Sequence, residues 1–161
     1  MAPKHLLLFF SALLWAVPAL AEELVIDMHR VTAEGVGEKV GSITAESSPY
    51  GVILRPDLKG LAPGPHGFHL HEEASCEPAR KDGKMVPGGA AKGHFDPMKT
   101  GTHAGPYGQG HLGDLPVIFV KQDGTADVPV LAPRLRLYDL QGHAVIIHAG
   151  GDTYTDDPPL G

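Results

Sequence analysis

Apolar and polar residues alternate in seven short runs after residue 22, and nothing between the runs repeats at the helical period. The runs are ELVIDMHRV (Glu23 to Val31), EKVGSITAE (Glu38 to Glu46), YGVILRPDL (Tyr50 to Leu58) and HGFHLHE (His66 to Glu72), followed by PVIFVKQ (Pro116 to Gln122), TADVPVLA (Thr125 to Ala132) and HAVIIHA (His143 to Ala149). A period of two sends successive side chains to opposite faces of a strand, so each run is predicted to be a strand with one apolar face. The 21 glycines and 15 prolines fall largely between runs and mark turns. Asp123-Gly124, between the fifth and sixth runs, is a favoured hairpin turn. A chain of 161 residues supports one domain comfortably. The predicted fold class is therefore all-β, a sandwich or flattened barrel.

The first residues have a different character. Lys4 and His5 precede an apolar stretch from Leu6 to Val17, and Ala19-Leu20-Ala21 follows with small residues at the outer positions. This pattern predicts a signal peptide over residues 1–21, with a mature domain over 22–161. The apolar stretch is too short to span a bilayer, although a retained anchor is the alternative. Export to the periplasm or beyond permits disulfides, yet Cys76 is the only cysteine, so it is either a free thiol or paired outside this chain. The formal net charge is -6, and removing Lys4 takes it to -7. With no basic cluster, the charge argues against nucleic acid or anionic lipid as a partner, and no membrane contact is expected after cleavage.

Residues Glu73 to Leu115 interrupt the rhythm, with no strand pattern and many Gly, Pro, Lys and His residues. A loop of this length in a compact domain is functional or disordered, and its histidines favour a functional loop ordered by metal. His69 and His71 share a strand face, with Leu70 turned to the core, and offer a half-site for copper or zinc. A pair of surface histidines is the competing explanation. His94 in GHFDP, His103 in GTHAGP, and His111 with Asp114 in GHLGDLP supply three imidazoles and one carboxylate, the donor set of a closed tetrahedral zinc site. Such a site would order a loop that lacks a core. The competing explanation is a solvated His-rich loop. His148 ends the last run, and Asp152 four residues later is placed to orient ligating imidazoles. His66 and His143 are expected to pack or to bond the backbone, and His29 has no assigned role. The segment from Tyr154 to Gly161 shows no strand signal.

Taken in order, HGFHLHE, GGAAKGHFDP, THAGP, GHLGDLP and HAGGD resemble the copper,zinc superoxide dismutases of the exported bacterial type, from about Leu24 to Gly161. The resemblance implies an eight-stranded Greek-key β-barrel with copper and zinc outside it, under two long loops. It implies copper held by His69, His71, His94 and His148, and zinc held by His94, His103, His111 and Asp114. His94 would bridge the metals and act catalytically by taking up and returning a proton. Asp152 would accept hydrogen bonds from His71 and His103. The implied substrate is superoxide, converted to oxygen and hydrogen peroxide by copper redox cycling. Two further readings compete: a copper- and zinc-binding protein without efficient turnover, and an immunoglobulin-like binding module. Monomer and dimer are both open. The family pattern continues past PLG with a Gly-rich segment, an arginine, a cysteine bonded to the counterpart of Cys76 and a final strand, whereas this sequence stops at Gly161. The expectation is a C-terminally incomplete domain lacking the last strand, an unpaired Cys76, and Lys92 and Lys99 as the nearest cations to offset the arginine.

Overall fold

The longest alternating runs pair first in sequence and form the backbone of the fold. A computed structural model describes residues 23–156, which contain ten strands, two short 3-10 helices and no α-helix. The strands are β1 (Glu23–Thr32), β2 (Gly35–Ser48), β3 (Gly51–Leu58), β4 (Gly64–His66), β5 (Phe68–His71), β6 (Ala79–Lys81), β7 (Lys84–Val86), β8 (Ile118–Val120), β9 (Val130–Ala132) and β10 (Ala144–Ile147). The 3-10 helices are Gly89–Ala91 and Leu137–Leu140.

Strands β1, β2 and β3 form an antiparallel meander, extended by β9 in the order β1-β2-β3-β9. The period-2 pattern decides which face turns inward. On β3 the side chains of Val52, Leu54 and Leu58 are buried, while Arg55 and Asp57 between them are exposed. Ile43 and Ala45 of β2 point to the same interior. Three two-stranded sheets, β10-β5, β4-β8 and β6-β7, complete the pairing among the described residues. Phe68 and Leu70 of β5, Ile118 and Val120 of β8, and Val145 of β10 join the interior of the four-stranded sheet in one apolar cluster. Each such large side chain contributes roughly 1.5–3 kcal/mol by leaving water. The class is all-β, as the alternation predicts.

The structure corrects the strand reading in three places. The run from His66 to Glu72 is split at Gly67, and its halves enter different sheets, β4 with β8 and β5 with β10. Gly67 instead bonds the residues just after β10, donating to the Gly150 carbonyl at 2.8 Å and accepting from the His148 N–H at 2.8 Å. The Asp123-Gly124 turn forms, closed by a bond from the Lys121 N–H to the Thr125 carbonyl at 2.8 Å. It is not a hairpin between two long strands, because β8 pairs with β4 and β9 pairs with β3. Pro129 has no N–H to offer, and the second strand begins only after it. Lastly, the loop from Glu73 to Leu115 contains the hairpin β6-β7, turned at Asp82 and Gly83 with φ of 52° and 80°. Both central residues at positive φ match a type I′ turn, and Asp-Gly was its sequence signal.

No helix among the described residues is long and apolar enough to cross a membrane. The expected signal peptide and the last five residues lie outside the described residues.

Candidate metal centre

The site is built on β5. One edge of β5 pairs with β10, matching His69 to Ile146 and His71 to Ala144. The other edge is taken by the long loop. Isolated bridges set Asp114 opposite His69 and His94 opposite His71. The Leu70 N–H donates to the Gly113 carbonyl at 2.9 Å, and the Phe95 N–H donates to the Leu70 carbonyl at 2.8 Å. The approach is so close that a Cβ on Gly113 would lie 2.2 Å from the Leu70 oxygen. Backbone pairing thus carries His94 and Asp114 to the face from which His69 and His71 project. Because the loop covers that face, all four residues of β5 are buried.

Two four-residue groups result, His69, His71, His94 and His148, and His94, His103, His111 and Asp114; a third group is His69, His103 and Asp152. In each group the possible donor atoms lie within 4.8 Å of one another. Every residue expected to ligate metal is therefore brought together, and His94 belongs to both larger groups.

In the second group, Asp114 Oδ1 lies 2.9 Å from Nδ1 of His94, 2.9 Å from Nδ1 of His103 and 3.4 Å from Nδ1 of His111. Tetrahedral zinc with bonds of roughly 2.0–2.1 Å separates its donors by about 3.3 Å, so this cage has the right size. The Nδ1 atoms of His69, His103 and His111 are buried without a hydrogen-bond partner among the described residues. Buried nitrogens ordinarily find partners; the orphans on His103 and His111 belong to the second group and the one on His69 to the first, and a cation in each group would satisfy them. The donor chemistry and the cage both fit zinc on this side.

The outer nitrogens are held elsewhere, which decides the inner ones. His71 Nδ1 faces the Lys92 carbonyl at 2.9 Å, leaving Nε2, which sits 3.4 Å from Nε2 of His148. His69 Nε2 meets Asp152 Oδ2 at 2.7 Å, leaving Nδ1. His103 Nε2 meets Asp152 Oδ1 at 2.7 Å. Asp152 therefore joins His69 and His103, and the expected partner His71 is corrected to His69. His71 lies one strand position pair further along β5, where Lys92 reaches it instead. A set of four imidazole nitrogens fits copper.

Burial pushes His69 down to about 3, helped by the neighbouring His94 ring, and pushes His71 down to about 4. Burial also lowers His148. All three are neutral near pH 7, the state in which imidazole ligates metal. Burial opposes charge on Asp114, but the hydrogen bond with His94 and the close approach of His103 outweigh it and hold the carboxyl well below the usual range. His103 is buried too, yet its bond to Asp152 and the nearby Asp114 carboxylate keep it above the ordinary imidazole value.

His66 and His143 play the backbone roles expected. His66 faces the carbonyls of His148 and Ala62, both at 2.7 Å, and His143 faces the Glu72 carbonyl at 2.8 Å. His29 faces the Gly37 carbonyl at 3.0 Å and belongs to none of the three donor groups. Cys76 is a free, half-buried thiol, raised by burial and by the Glu77 charge. Lys92 lines a cavity of about 980 Å³ shared with His71, His94 and His148, but its Nζ lies 2.8 Å from Glu73 Oε1, which offsets its charge. Lys99 is not among the lining residues. Two contributors gave no signal in the sequence. Arg134 donates to the Gly110 carbonyl at 2.6 Å and steadies the loop between His103 and His111, and Tyr154 contacts Gly105 in the same loop.

Residues 39–161 match the family described as copper/zinc superoxide dismutase. Superoxide dismutase [Cu-Zn] 2 of Salmonella typhimurium is 49% identical over 98% of this chain and 92% of its own length. Superoxide dismutase [Cu-Zn] of Escherichia coli is 47% identical over the same shares. The structure resembles Cu/Zn superoxide dismutase from Brucella abortus, with a TM-score of 0.83 and 41% identity, covering 85% of this chain and 90% of that one. It also resembles the monomeric copper, zinc superoxide dismutase from Salmonella enterica, with a TM-score of 0.74 and 50% identity, covering 81% and 86%.

Proposed function

The chain belongs to the copper/zinc superoxide dismutase family, and on that premise we propose a role for each residue of the centre. Its activity is the dismutation of superoxide, in which two superoxide ions and two protons give one oxygen and one hydrogen peroxide. His69, His71, His94 and His148 are the copper ligands, and His94, His103, His111 and Asp114 are the zinc ligands. The observation that carries this assignment is the sharing of His94 by two complete donor groups. Copper supplies one-electron redox chemistry when bound, and zinc adds fixed positive charge behind His94.

The protein residues supply the rest. The Lys92 carbonyl holds the proton of His71 on Nδ1 and frees Nε2 toward copper. Asp152 holds the protons of His69 and His103 on Nε2 and frees their Nδ1 atoms. His94 presents Nδ1 beside Asp114, so its Nε2 faces the copper side, where it takes up one proton and returns it to departing peroxide. The buried faces of β5 keep these rings in place.

Residues 1–21 act as a signal peptide in this reading, and the mature domain works in the periplasm. The basic start, apolar core and Ala19-Leu20-Ala21 support it.

The experiment is reconstitution with copper and zinc, followed by elemental analysis and direct kinetics of superoxide decay. One copper and one zinc per chain with rapid decay is the expected result. A folded chain that retains both metals and leaves the decay at the level of buffer would favour the binding protein without turnover.

A further inference from the structure

Tyr154 occupies the left-handed backbone region, with φ of 55°. For a bulky side chain this conformation is strained and persists only where the surroundings enforce it. Three contacts do so. Its N–H donates to Asp152 Oδ1 at 2.8 Å. Its phenolic oxygen accepts the Val117 N–H at 2.8 Å, tying the 150–156 segment to the residues that lead into β8. Its ring lies against Gly105 so closely that a Cβ there would sit 2.8 Å from Tyr154 Cβ and 2.9 Å from Cγ.

These contacts converge on the carboxylate between the two donor groups. Gly105 follows His103 by two residues. Asp152 receives Nε2 of His103 on Oδ1 and Nε2 of His69 on Oδ2, both at 2.7 Å. Asp152 Oδ1 is thus shared between His103 and the Tyr154 N–H, and the direction of that N–H depends on the left-handed backbone. The same segment is anchored once more where the His103 N–H donates to Asp156 Oδ1 at 2.9 Å.

We infer that Tyr154 is a positioning residue for both halves of the metal centre: pinned between Gly105 and the Val117 N–H, it aims its own N–H at Asp152 and so fixes the carboxylate that orients His69 and His103. It acts through Asp152, which its N–H holds, while its phenolic oxygen holds the Val117 N–H. The inference rests on the metal-centre reading above.

The test uses Tyr154→Phe, which removes only the phenolic oxygen, and Tyr154→Ala, which also releases Gly105; both keep the backbone N–H. Zinc affinity is measured by competition with a chelating dye, and exchange of the His69 and His103 Nε2 protons is followed by NMR in the metal-free protein. Tyr154→Phe should weaken zinc about tenfold and Tyr154→Ala up to about a hundredfold, the range seen when partners of metal ligands are removed. The imidazole protons should exchange faster in both. In an Asp152→Asn background, Tyr154→Phe should change zinc affinity by less than about twofold, because residues acting through one group are not additive. A full further loss in that background would overturn the inference, as would unaltered zinc affinity and proton exchange in Tyr154→Phe with only a lower melting temperature. If Tyr154→Ala does not fold, Tyr154→Phe decides alone. Failure of the unmutated chain to bind zinc would overturn the metal-centre reading as well, whereas normal zinc binding with indifferent variants overturns this inference only.

Discussion

His94 joins two donor groups through one ring, so its loss should be felt on both sides. His94→Ala is expected to weaken zinc by more than about a hundredfold, beyond the effect of removing a supporting partner, and to alter the copper spectrum. His111→Ala, which touches only the second group, should release zinc while copper stays bound; parallel metal titrations of the two variants check the difference. Cys76 gives a separate expectation. Burial and Glu77 raise its thiol, so alkylation in the folded protein at pH 7 should be slower than for a free cysteine and should recover on unfolding. At this scale the pairing of His69 with His71 was legible because both lie on a strand, where a spacing of two fixes a common face. Asp152 was legible as a partner of imidazoles, but which ones was not. That choice depends on where the 150–156 segment crosses the loop, and no local pattern encodes a crossing.

Strand β5 is the element that makes the site, since its two edges hold β10 on one side and the ligand-bearing loop on the other. Gly113 is where the loop approaches the Leu70 carbonyl, and Gly113→Ala would place a Cβ 2.2 Å from that oxygen. Overpacking of this kind typically destabilises by roughly 1–3 kcal/mol. The substitution is expected to lower the melting temperature and to weaken zinc, because Asp114 moves with its neighbour; calorimetry and zinc titration check both. An unchanged melting temperature would show that the loop has room to move. The long meander β1-β2-β3 was legible from alternation alone. The division of His66–Glu72 was not, because Gly67 leaves its ladder to bond Gly150 and His148, partners more than eighty residues away. The β6-β7 hairpin lacked alternating apolar residues, so only its Asp-Gly turn marked it.

The molecule as a whole keeps several imidazoles neutral that an unfolded chain would protonate. His69 at about 3, His71 at about 4 and the lowered His148 all lie below the ordinary value of 6.5. Between those values and about 6.5 the unfolded chain binds more protons, so metal-free stability is greatest above pH 6.5 and falls as the pH drops. At pH 5 the effect approaches about 2 kcal/mol for each of His69 and His71. His103, held above 6.5, works in the opposite direction and offsets part of the loss. Asp114 and Asp152, held below 3.8, add further loss below that value. Melting of the metal-free protein should therefore occur several degrees lower at pH 5 than at pH 7, and a flat profile over that range would contradict the buried neutral rings. Protons also compete with metal for the same nitrogens, so acid should release metal over the same range.

On the proposed assignment one imidazole ring, that of His94, lies between copper and zinc. Anomalous diffraction from crystals of the doubly loaded protein, collected at the copper and zinc absorption edges, tests it most directly. One copper peak should lie among His69, His71, His94 and His148, and one zinc peak among His94, His103, His111 and Asp114, on opposite sides of the His94 ring. A metal found outside these groups, or a His94 ring touching only one peak, would contradict the claim.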